Sequence, residues 1–577
     1  MLRVFQILLF LLAAVPCGIP FRYPPNPVFP SELAAYTLAT LLVLAVAGLP
    51  SQRVETTRTP WMAIVWFGLA AVLGLQALVL TVPYWSDLTI PALYLVTAGM
   101  SVWALARARD EFGIAPLAQA LAWGLVVGAL FNSALAVDQI YQLIKYGPRL
   151  IFGNIGQKNM YGHYLAWGFA SLMWLSATGR LPRWLTVTLS LWFALSMAYC
   201  GSRSPFLYAV AWLVFGLALA FGRNEVVRRL GRNLMIAGAL IVAMQFVAPL
   251  INDVLGHLLS TKNEVPTGLD RLDSNGARRL VEWHKAWLTF QAHPWLGVGW
   301  GEYPAHGVAL QVRPEFAKVV ESVLFTHAHN SLLNLMAETG VIGAGIVVLG
   351  VLAAFFGLWS RRDDDVAMFA AALVAVSILH SLVEYPLWYY HFFGPFALML
   401  FLAFGAAPRR APAVSRGGFA LYGIASIAVA VFGGLTYLKI YPIIDPSDSV
   451  ATNERNLKTL GELRHNPLVD FYADYALSNY ITASAENIDW KLGILDRLNA
   501  VRPYPGQLSD AAIMHAIKGD AAQAQTLMRQ AAFAYPESLD YFRDELARFP
   551  NDARVQALAK PVDDGEAMFG KQPHDGE

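Results

Sequence analysis

Cysteine and charge are both scarce in this sequence. Two cysteines occur in 577 residues, and both, Cys17 and Cys200, fall in apolar stretches. That excludes a disulfide scaffold and a thiolate zinc site. Charged residues make up 14% of the chain, where a soluble domain carries about a quarter. Net charge is +1, so bulk charge names no partner, and no basic stripe of the nucleic-acid-binding kind is present. Chemical signatures are missing too. No glycine loop ends in Lys-Ser/Thr, so an ATP-driven pump has no phosphate cradle. There is no Gly-x-Ser-x-Gly elbow and no His-Glu-x-x-His.

What is present is apolar. The chain is 56% hydrophobic with a mean hydropathy of +0.45, a surplus that water would not tolerate and a bilayer would. About twenty apolar residues cross a bilayer as a helix. The expected fold is therefore an all-α polytopic membrane protein of about 13 transmembrane helices (12–14). The spans fall near 3–20, 32–50, 61–82, 89–107, 115–137, 160–178, 184–201, 204–222, 233–252, 330–359, 366–386, 391–407 and 418–440. The pair around residue 202 can also be read as one broken helix. The first stretch has Arg3 and an apolar core but no clean small-x-small cleavage site, so it reads as a retained helix.

Loop charge orients these spans. With the N-terminus inside, sixteen arginines fall inward: Arg3, Arg53, Arg58, Arg107, Arg109, Arg180, Arg183, Arg223, Arg228, Arg229, Arg232, Arg361, Arg362, Arg409, Arg410 and Arg416. Five cations fall in short outward loops: Arg22, Lys145, Arg149, Lys158 and Arg203. Positive charge accumulates on the cytoplasmic side, so the C-terminus is expected outside. Asp363-Asp364-Asp365 then lies inward, beside Arg361 and Arg362, and reads as a solvated loop rather than a metal site. Residues 1–440 form the expected transmembrane domain, including an outward loop 252–326, and 441–562 an outward helical domain. The polar stretch 563–577 is expected to be disordered. Small and apolar residues recur at helical spacing from Asp510 to Ala534, divided by Lys518-Gly519-Asp520. That pair resembles one tetratricopeptide repeat, and a small helical bundle accounts for it as well.

Polar groups at a membrane boundary require a reason. The densest run is His327-Ala328-His329-Asn330, continued by Asn334, Glu338 and Gly340. Asn330, Asn334 and Glu338 share one helix face. Such a stripe either hydrogen-bonds neighbouring helices or orients a catalytic histidine, whose ordinary pKa suits a general base. A second cluster holds Arg278, Arg279, Trp283, His284, Lys285 and Trp287, then His293-Pro294-Trp295-Leu296-Gly297-Val298-Gly299-Trp300. Trp favours the headgroup zone, and arginine binds phosphate in bidentate fashion; nonspecific headgroup contact is the plainer reading. Arg203, in Gly201-Ser202-Arg203-Ser204-Pro205, snorkels to the headgroups or holds an anion. Gly153-Asn154-Ile155-Gly156-Gln157-Lys158-Asn159, with His163, contacts a sugar or lipid, or caps a helix. Glu384-Tyr385 at the end of a span is a helix-end turn or a partner for an arginine or the histidine.

Together these motifs resemble the O-antigen ligase and polymerase superfamily. They are Arg279-x-x-x-Trp283, His293-Pro294-Trp295-Leu296-Gly297-Val298-Gly299, His327-x-His329-Asn330-x-x-Leu333 and Glu338-x-Gly340. Gly153-Asn154-Ile155-Gly156-Gln157-x-Asn159 and Glu384-Tyr385-Pro386-Leu387-Trp388 look more like its protein O-oligosaccharyltransferase branch. The resemblance implies transfer of a preassembled glycan from undecaprenyl diphosphate to Ser or Thr of a pilin or another periplasmic protein. The site would face the periplasm from the bacterial inner membrane, with no metal and no cofactor. It implies His329 as base, favoured over His327 because it adjoins the helix. Arg203 and Arg279, with Arg278, would hold the donor diphosphate. His327, Asn330, Glu338, Glu384 and Tyr385 would support the site, and Asn154, Gln157, Lys158, Asn159, His163 and Trp283 would meet glycan or lipid. An O-antigen ligase acting on lipid A core and a repeat-unit polymerase share the same donor. A lipid-linked sugar transporter is the reading from another class; the lack of a repeat between the halves speaks against it.

Overall fold

The structure is a computed structural model that describes residues 1–50, 59–261, 263, 265–271, 277–316, 319–320, 322–405 and 414–570. Arg53, Arg58, Arg409, Arg410 and the stretch 571–577 of the predicted disordered tail lie outside these residues. The described chain is all-helical, and a helix occupies each of the thirteen stretches read as spans. Among the described residues, seven helices are long and apolar enough to cross a membrane: Phe29–Gly48, Trp61–Val79, Trp85–Phe112, Ala115–Tyr146, Glu225–Leu259, Ser331–Trp359 and Arg416–Ile443. Four shorter apolar helices accompany them: Leu2–Gly18, Ser204–Ala220, Asp365–Ser381 and Tyr390–Phe404. The pair around residue 202 is two helices, Arg183–Ala198 and Ser204–Ala220, parted by a turn with Gly201 at φ 59.

The chain divides into two compact units. The first comprises Met1–Leu69, Leu93–Ser274 and Ile346–Phe432. Its helices associate through small residues, as bundles in lipid must when burial of apolar surface gives no net drive. Gly216 and Gly231 face each other so closely that a Cβ on either would lie 2.5 or 2.6 Å from the other's carbonyl oxygen. Large apolar side chains such as Val210, Val214, Leu217 and Leu421 point outward, which suits a lipid surround. Asp363, Asp364 and Asp365 each take up a donor: the Arg223 N–H at 2.8 Å, the Ala367 N–H at 3.1 Å and the Trp174 indole at 3.0 Å. Asp364 also pairs with Arg361 at 2.6 Å. Asp364 thus caps helix Asp365–Ser381, and Asp363 and Asp365 accept from other segments, so the triplet is not merely a solvated loop.

The second unit comprises Ala70–Ala92, Asn275–Gly345 and Gly433–Glu577. Helices Pro505–Lys518 and Ala521–Ala534 flank a turn at Gly519, φ 97, as the composition predicts. One hydrophobic core joins the tail helices to Tyr84 and Val308, with Val312 and Leu324 packed on it. The tail and the segment that leads to the histidines are therefore built on shared burial. The last helix, Ala559–Phe569, runs past Asp563, and Phe569 packs edge-on to Phe533 at 5.8 Å. The expectation of disorder from residue 563 is corrected over those residues: an amphipathic helix end passes for a polar tail when only composition is read.

Candidate functional site

In the second unit, helix Ser331–Trp359 breaks at Gly340, whose φ 62 and ψ −166 are open only to glycine. A break frees backbone groups that must find partners. The segment Pro294–Gly299 supplies them. Val298 and Gly299 donate to the carbonyls of Ala337 (3.0 Å) and Glu338 (3.2 Å), while Val341 and Ile342 donate to those of Pro294 (2.8 Å) and Trp295 (3.3 Å). The Gln76 amide ties both strips together, donating to Leu296 O at 2.8 Å and Glu338 O at 2.7 Å. The glycines of this motif thus serve close approach: a Cβ on Gly297 would lie 2.3 Å from the carbonyl carbon of Glu338.

The histidine segment enters this same helix. Asn330 caps it, its Oδ1 accepting from Leu332 N and Leu333 N, each at 3.1 Å. Asn334, fully buried, accepts from Ala328 N at 3.0 Å. The Trp283 indole donates to the His329 carbonyl at 3.4 Å. His329 itself holds φ 50, a left-handed conformation uncommon outside glycine, though histidine enters it more readily than most. Its ring meets Phe325 edge-on at 5.5 Å. Thr326 Oγ1 lies 3.1 Å from His327 Nδ1. Burial, reinforced by the facing His329 and the Arg502 guanidinium, pushes His327 well below the ordinary histidine range. Two members of the predicted stripe, Asn330 and Asn334, therefore fasten the histidine turn to its helix. Glu338 is fully buried one turn further on.

Helix Ala277–Ala292 carries the cations. Arg278 is exposed and Arg279 half-buried. Arg279 lies one turn before Trp283, on the helix face that meets the histidine segment. Lys285 turns inward to Glu282 at 2.7 Å, both side chains being 2% exposed, and the Tyr303 hydroxyl closes the pair at 2.6 Å from Glu282 Oε2. This lysine is held as a structural ion pair.

The first unit gathers the other motifs. Gln157 caps helix Lys158–Ala177 through Met160 N at 3.3 Å. The Asn159 amide donates to Glu384 at 2.6 Å, joining two motifs that the sequence holds far apart. Tyr385 packs on Tyr389 at 5.8 Å. Gly162 rests on Cys200 and Pro205, which sets the Arg203 turn beside the first turns of that helix. Asn154 is enclosed by structure: its N–H donates to Asn132 at 2.9 Å, its amide to Gly18 O at 2.8 Å, and its carbonyl accepts from Arg22. Gln139 binds Phe152 N, Gly153 N and Gly153 O. His163 is fully buried, 3.1 Å from Ser377 and ringed by Trp167, His380 and Phe392. Its position is that of a packed core histidine.

Sequence reading used Arg22 only to orient the spans and passed over Gln76, Asn132, Gln139 and Arg502. Gln76, Asn132 and Gln139 carried a usable signal, since each is an amide inside an apolar helix. Of the predicted site residues, Arg278, Arg279, Trp283, His327, His329, Asn330 and Glu338 lie in the second unit. Asn154, Gln157, Lys158, Asn159, His163, Arg203, Glu384 and Tyr385 lie in the first.

Two family models match this chain. Residues 188–348 match the model described as "O-Antigen ligase", a stretch that holds Arg203, Arg279 and the histidine segment. Residues 368–547 match "Virulence factor membrane-bound polymerase, C-terminal", which takes in Glu384, Tyr385 and most of the tail. Over 290 residues the chain is 21% identical to a "General O-oligosaccharyltransferase" of Acinetobacter baylyi (strain ATCC 33305 / BD413 / ADP1), covering 48% of this chain and 49% of that protein. Over 314 residues it is 24% identical to "Exopolysaccharide production protein ExoQ" of Rhizobium meliloti (strain 1021), covering 50% of this chain and 66% of that one. The chain thus spans about half of the first relative and just under two thirds of the second.

Proposed function

We propose, for a chain that belongs to the O-antigen ligase family, that it transfers a preassembled glycan from a polyprenyl diphosphate to a hydroxyl of a periplasmic protein. The observation that carries this reading is the held histidine turn: His329 at positive φ, tied by Asn334 through Ala328 and by Trp283 through its own carbonyl. A preorganised base is what transfer to a weakly acidic hydroxyl requires. In the proposed step His329 accepts the proton of a Ser or Thr hydroxyl as its oxygen bonds to the sugar anomeric carbon. The bond from that carbon to phosphate breaks, and its electron pair leaves on the lipid diphosphate. Arg279 meets the growing phosphate charge, where fixed cations act most strongly. Arg203 is given the same task on the resemblance of its motif, and Arg278 assists. The donor is undecaprenyl diphosphate-linked, the membrane is the bacterial inner membrane, and the step needs no metal. Pilin is the acceptor class we favour on the resemblance of the Glu384-Tyr385-Pro386-Leu387-Trp388 motif; the relative's name, general O-oligosaccharyltransferase, goes no further than O-linked transfer of a glycan.

The ExoQ relative favours a second reading, in which the acceptor is another glycan or a glycolipid. Reconstitution separates the two. Purified protein receives an undecaprenyl diphosphate glycan and either pilin, lipid A core or a second lipid-linked repeat unit, with and without EDTA. Glycosylated pilin in both conditions supports the first reading. Product on lipid or glycan alone establishes the second, and loss of activity in EDTA removes the metal-free step.

A further inference from the structure

Arg22 stands in a short loop that loop charge reads as outward, where the positive-inside rule does not account for a cation. Its side chain is half-buried and is seated on the Gly153–Asn159 turn of the first unit. Gly156 holds φ 85, and a Cβ there would lie 2.5 Å from Arg22 Cζ and 2.6 Å from Nη1. Any other side chain would push the guanidinium off and meet a φ that suits glycine. Arg22 Nη2 donates to the Asn154 carbonyl. Cys17, Tyr389 and His391 face it, and none of these is an anion at pH 7 by its ordinary value. Among the described residues no carboxylate pairs with it. A charge drawn partly out of water without a counter-charge is costly, so its place asks for a reason.

The turn under the guanidinium is itself fixed. Asn154 N–H donates to Asn132 Oδ1 at 2.9 Å, and the Asn154 amide donates to Gly18 O at 2.8 Å. Gln139 accepts from Gly153 N at 2.9 Å and donates to Gly153 O at 2.8 Å. Helix Ala115–Tyr146 thus commits two amides, one of them fully buried, to the shape of this turn. The turn runs directly into helix Lys158–Ala177, capped by Gln157, and the positive end of a helix favours an anion. Gly162 of the same helix rests on Cys200 and Pro205, which flank Arg203. Two arginines are therefore attached to the start of one helix. Phe21, next to Arg22, is 55% exposed and stacks on Tyr23 at 6.0 Å, which gives the cation an apolar edge suited to a lipid chain.

We propose that Arg22 binds a phosphate of the lipid-linked glycan donor. The inference rests on the reading of that donor as a polyprenyl diphosphate. A carboxylate partner would fill the guanidinium fork, whereas the Asn154 carbonyl takes a single nitrogen and leaves N–H groups for a ligand. The planar fork fits two phosphate oxygens at once. Gly156 and Asn154 hold it in place before the ligand arrives, so less freedom is lost on binding. The Gly153–Asn159 turn then acts by placing a cation. Asn154 does not meet the glycan, since its N–H, amide and carbonyl are already committed to Asn132, Gly18 and Arg22.

The full-length protein in detergent, titrated separately with undecaprenyl phosphate and with phosphatidylglycerol and read by native mass spectrometry, tests this. Arg22→Gln should weaken undecaprenyl phosphate about tenfold, the scale of one lost charge-assisted hydrogen bond, and leave phosphatidylglycerol unchanged. Arg22→Lys keeps the charge without the fork and should bind with an affinity between the two; it carries the test if Arg22→Gln does not fold. In the transfer assay both variants should raise donor KM and leave acceptor KM where it is. An arginine that merely latches two loops lowers the unfolding midpoint without changing the affinity of the folded protein. Undecaprenyl phosphate bound as tightly by both variants as by wild type therefore overturns the inference. Equal weakening of both lipids overturns it as well, since Arg22 is then a general headgroup contact. Wild-type protein that fails to bind undecaprenyl phosphate removes the donor reading itself, whereas equal binding by wild type and Arg22→Gln removes this inference alone.

Discussion

Gly340 presses its α-carbon onto the carbonyl of Trp295, so that a Cβ there would lie 2.2 Å from the oxygen. The contact joins a helix break to the glycine motif that repairs it. Gly340→Ala must both leave a glycine-only conformation and push back the Trp295 strip. Each effect costs on the order of 1–3 kcal/mol. We expect the variant to lose about 3 kcal/mol or more and most of its transfer activity. Thermal unfolding in detergent checks this, and a midpoint within a degree or two of wild type contradicts it.

Asn334 separates support of the turn from chemistry. Its Oδ1 is the acceptor for Ala328 N–H. Asn334→Leu strands that buried donor, at a cost of about 1–3 kcal/mol, and lets the histidine turn relax. Asn334→Asp keeps an acceptor in place. Transfer should fall steeply in the first and much less in the second. Equal loss in both variants, measured as kcat, would mean that the amide acts through its N–H₂ side instead.

The helices were legible in the sequence because lipid demands long apolar runs, and a run of that length has few other readings. Gly340 was not. Glycine inside an apolar helix is common, and the strip that stitches this break lies in another helix–loop segment. Asn334 was read correctly as part of a polar stripe, but its partner, a backbone N–H behind the stripe, has no sequence signature. The His327–His329 segment stood out through chemistry alone, whereas Arg502 could not, since an arginine between tail helices looks like any solvated cation. Its place beside Asp87 follows from tertiary packing of the tail.

Asn159 and Glu384 meet at 2.6 Å, and Glu384 is 1% exposed. Asn159→Ala removes one hydrogen bond to a buried carboxylate. Asn159→Asp instead sets two carboxyl groups against each other, which forces one to take up a proton. The aspartate variant should therefore be the more damaged at neutral pH and should recover part of its activity as pH falls. A transfer assay over a pH series distinguishes the two, and an aspartate variant that matches alanine at every pH refutes the argument.

His329→Ala should abolish transfer while the protein stays in the membrane in normal amount. Arg279→Lys and Arg203→Lys keep the charge but lose the planar fork that grips phosphate from two points. Each should reduce kcat/KM for the lipid-linked donor by about tenfold, as expected for loss of roughly one charge-assisted hydrogen bond. Unchanged donor kinetics in both lysine variants would free these arginines from the diphosphate role.

Glu302 gives stability a pH slope. Its carboxyl is raised from 4.5 to about 8, chiefly by burial and then by Asp87. The folded protein therefore holds this proton across a window in which the unfolded chain has released it. Where the folded state binds more protons, stability falls as pH rises. The contribution is thus fully present below about pH 4.5 and declines progressively toward pH 8. Glu302→Gln stays neutral at every pH, so it should flatten that decline and leave the variant relatively more stable on the alkaline side. Denaturation midpoints in detergent at several pH values, compared between wild type and Glu302→Gln, measure the slope directly. Parallel curves would show that this carboxyl does not hold its proton in the folded chain.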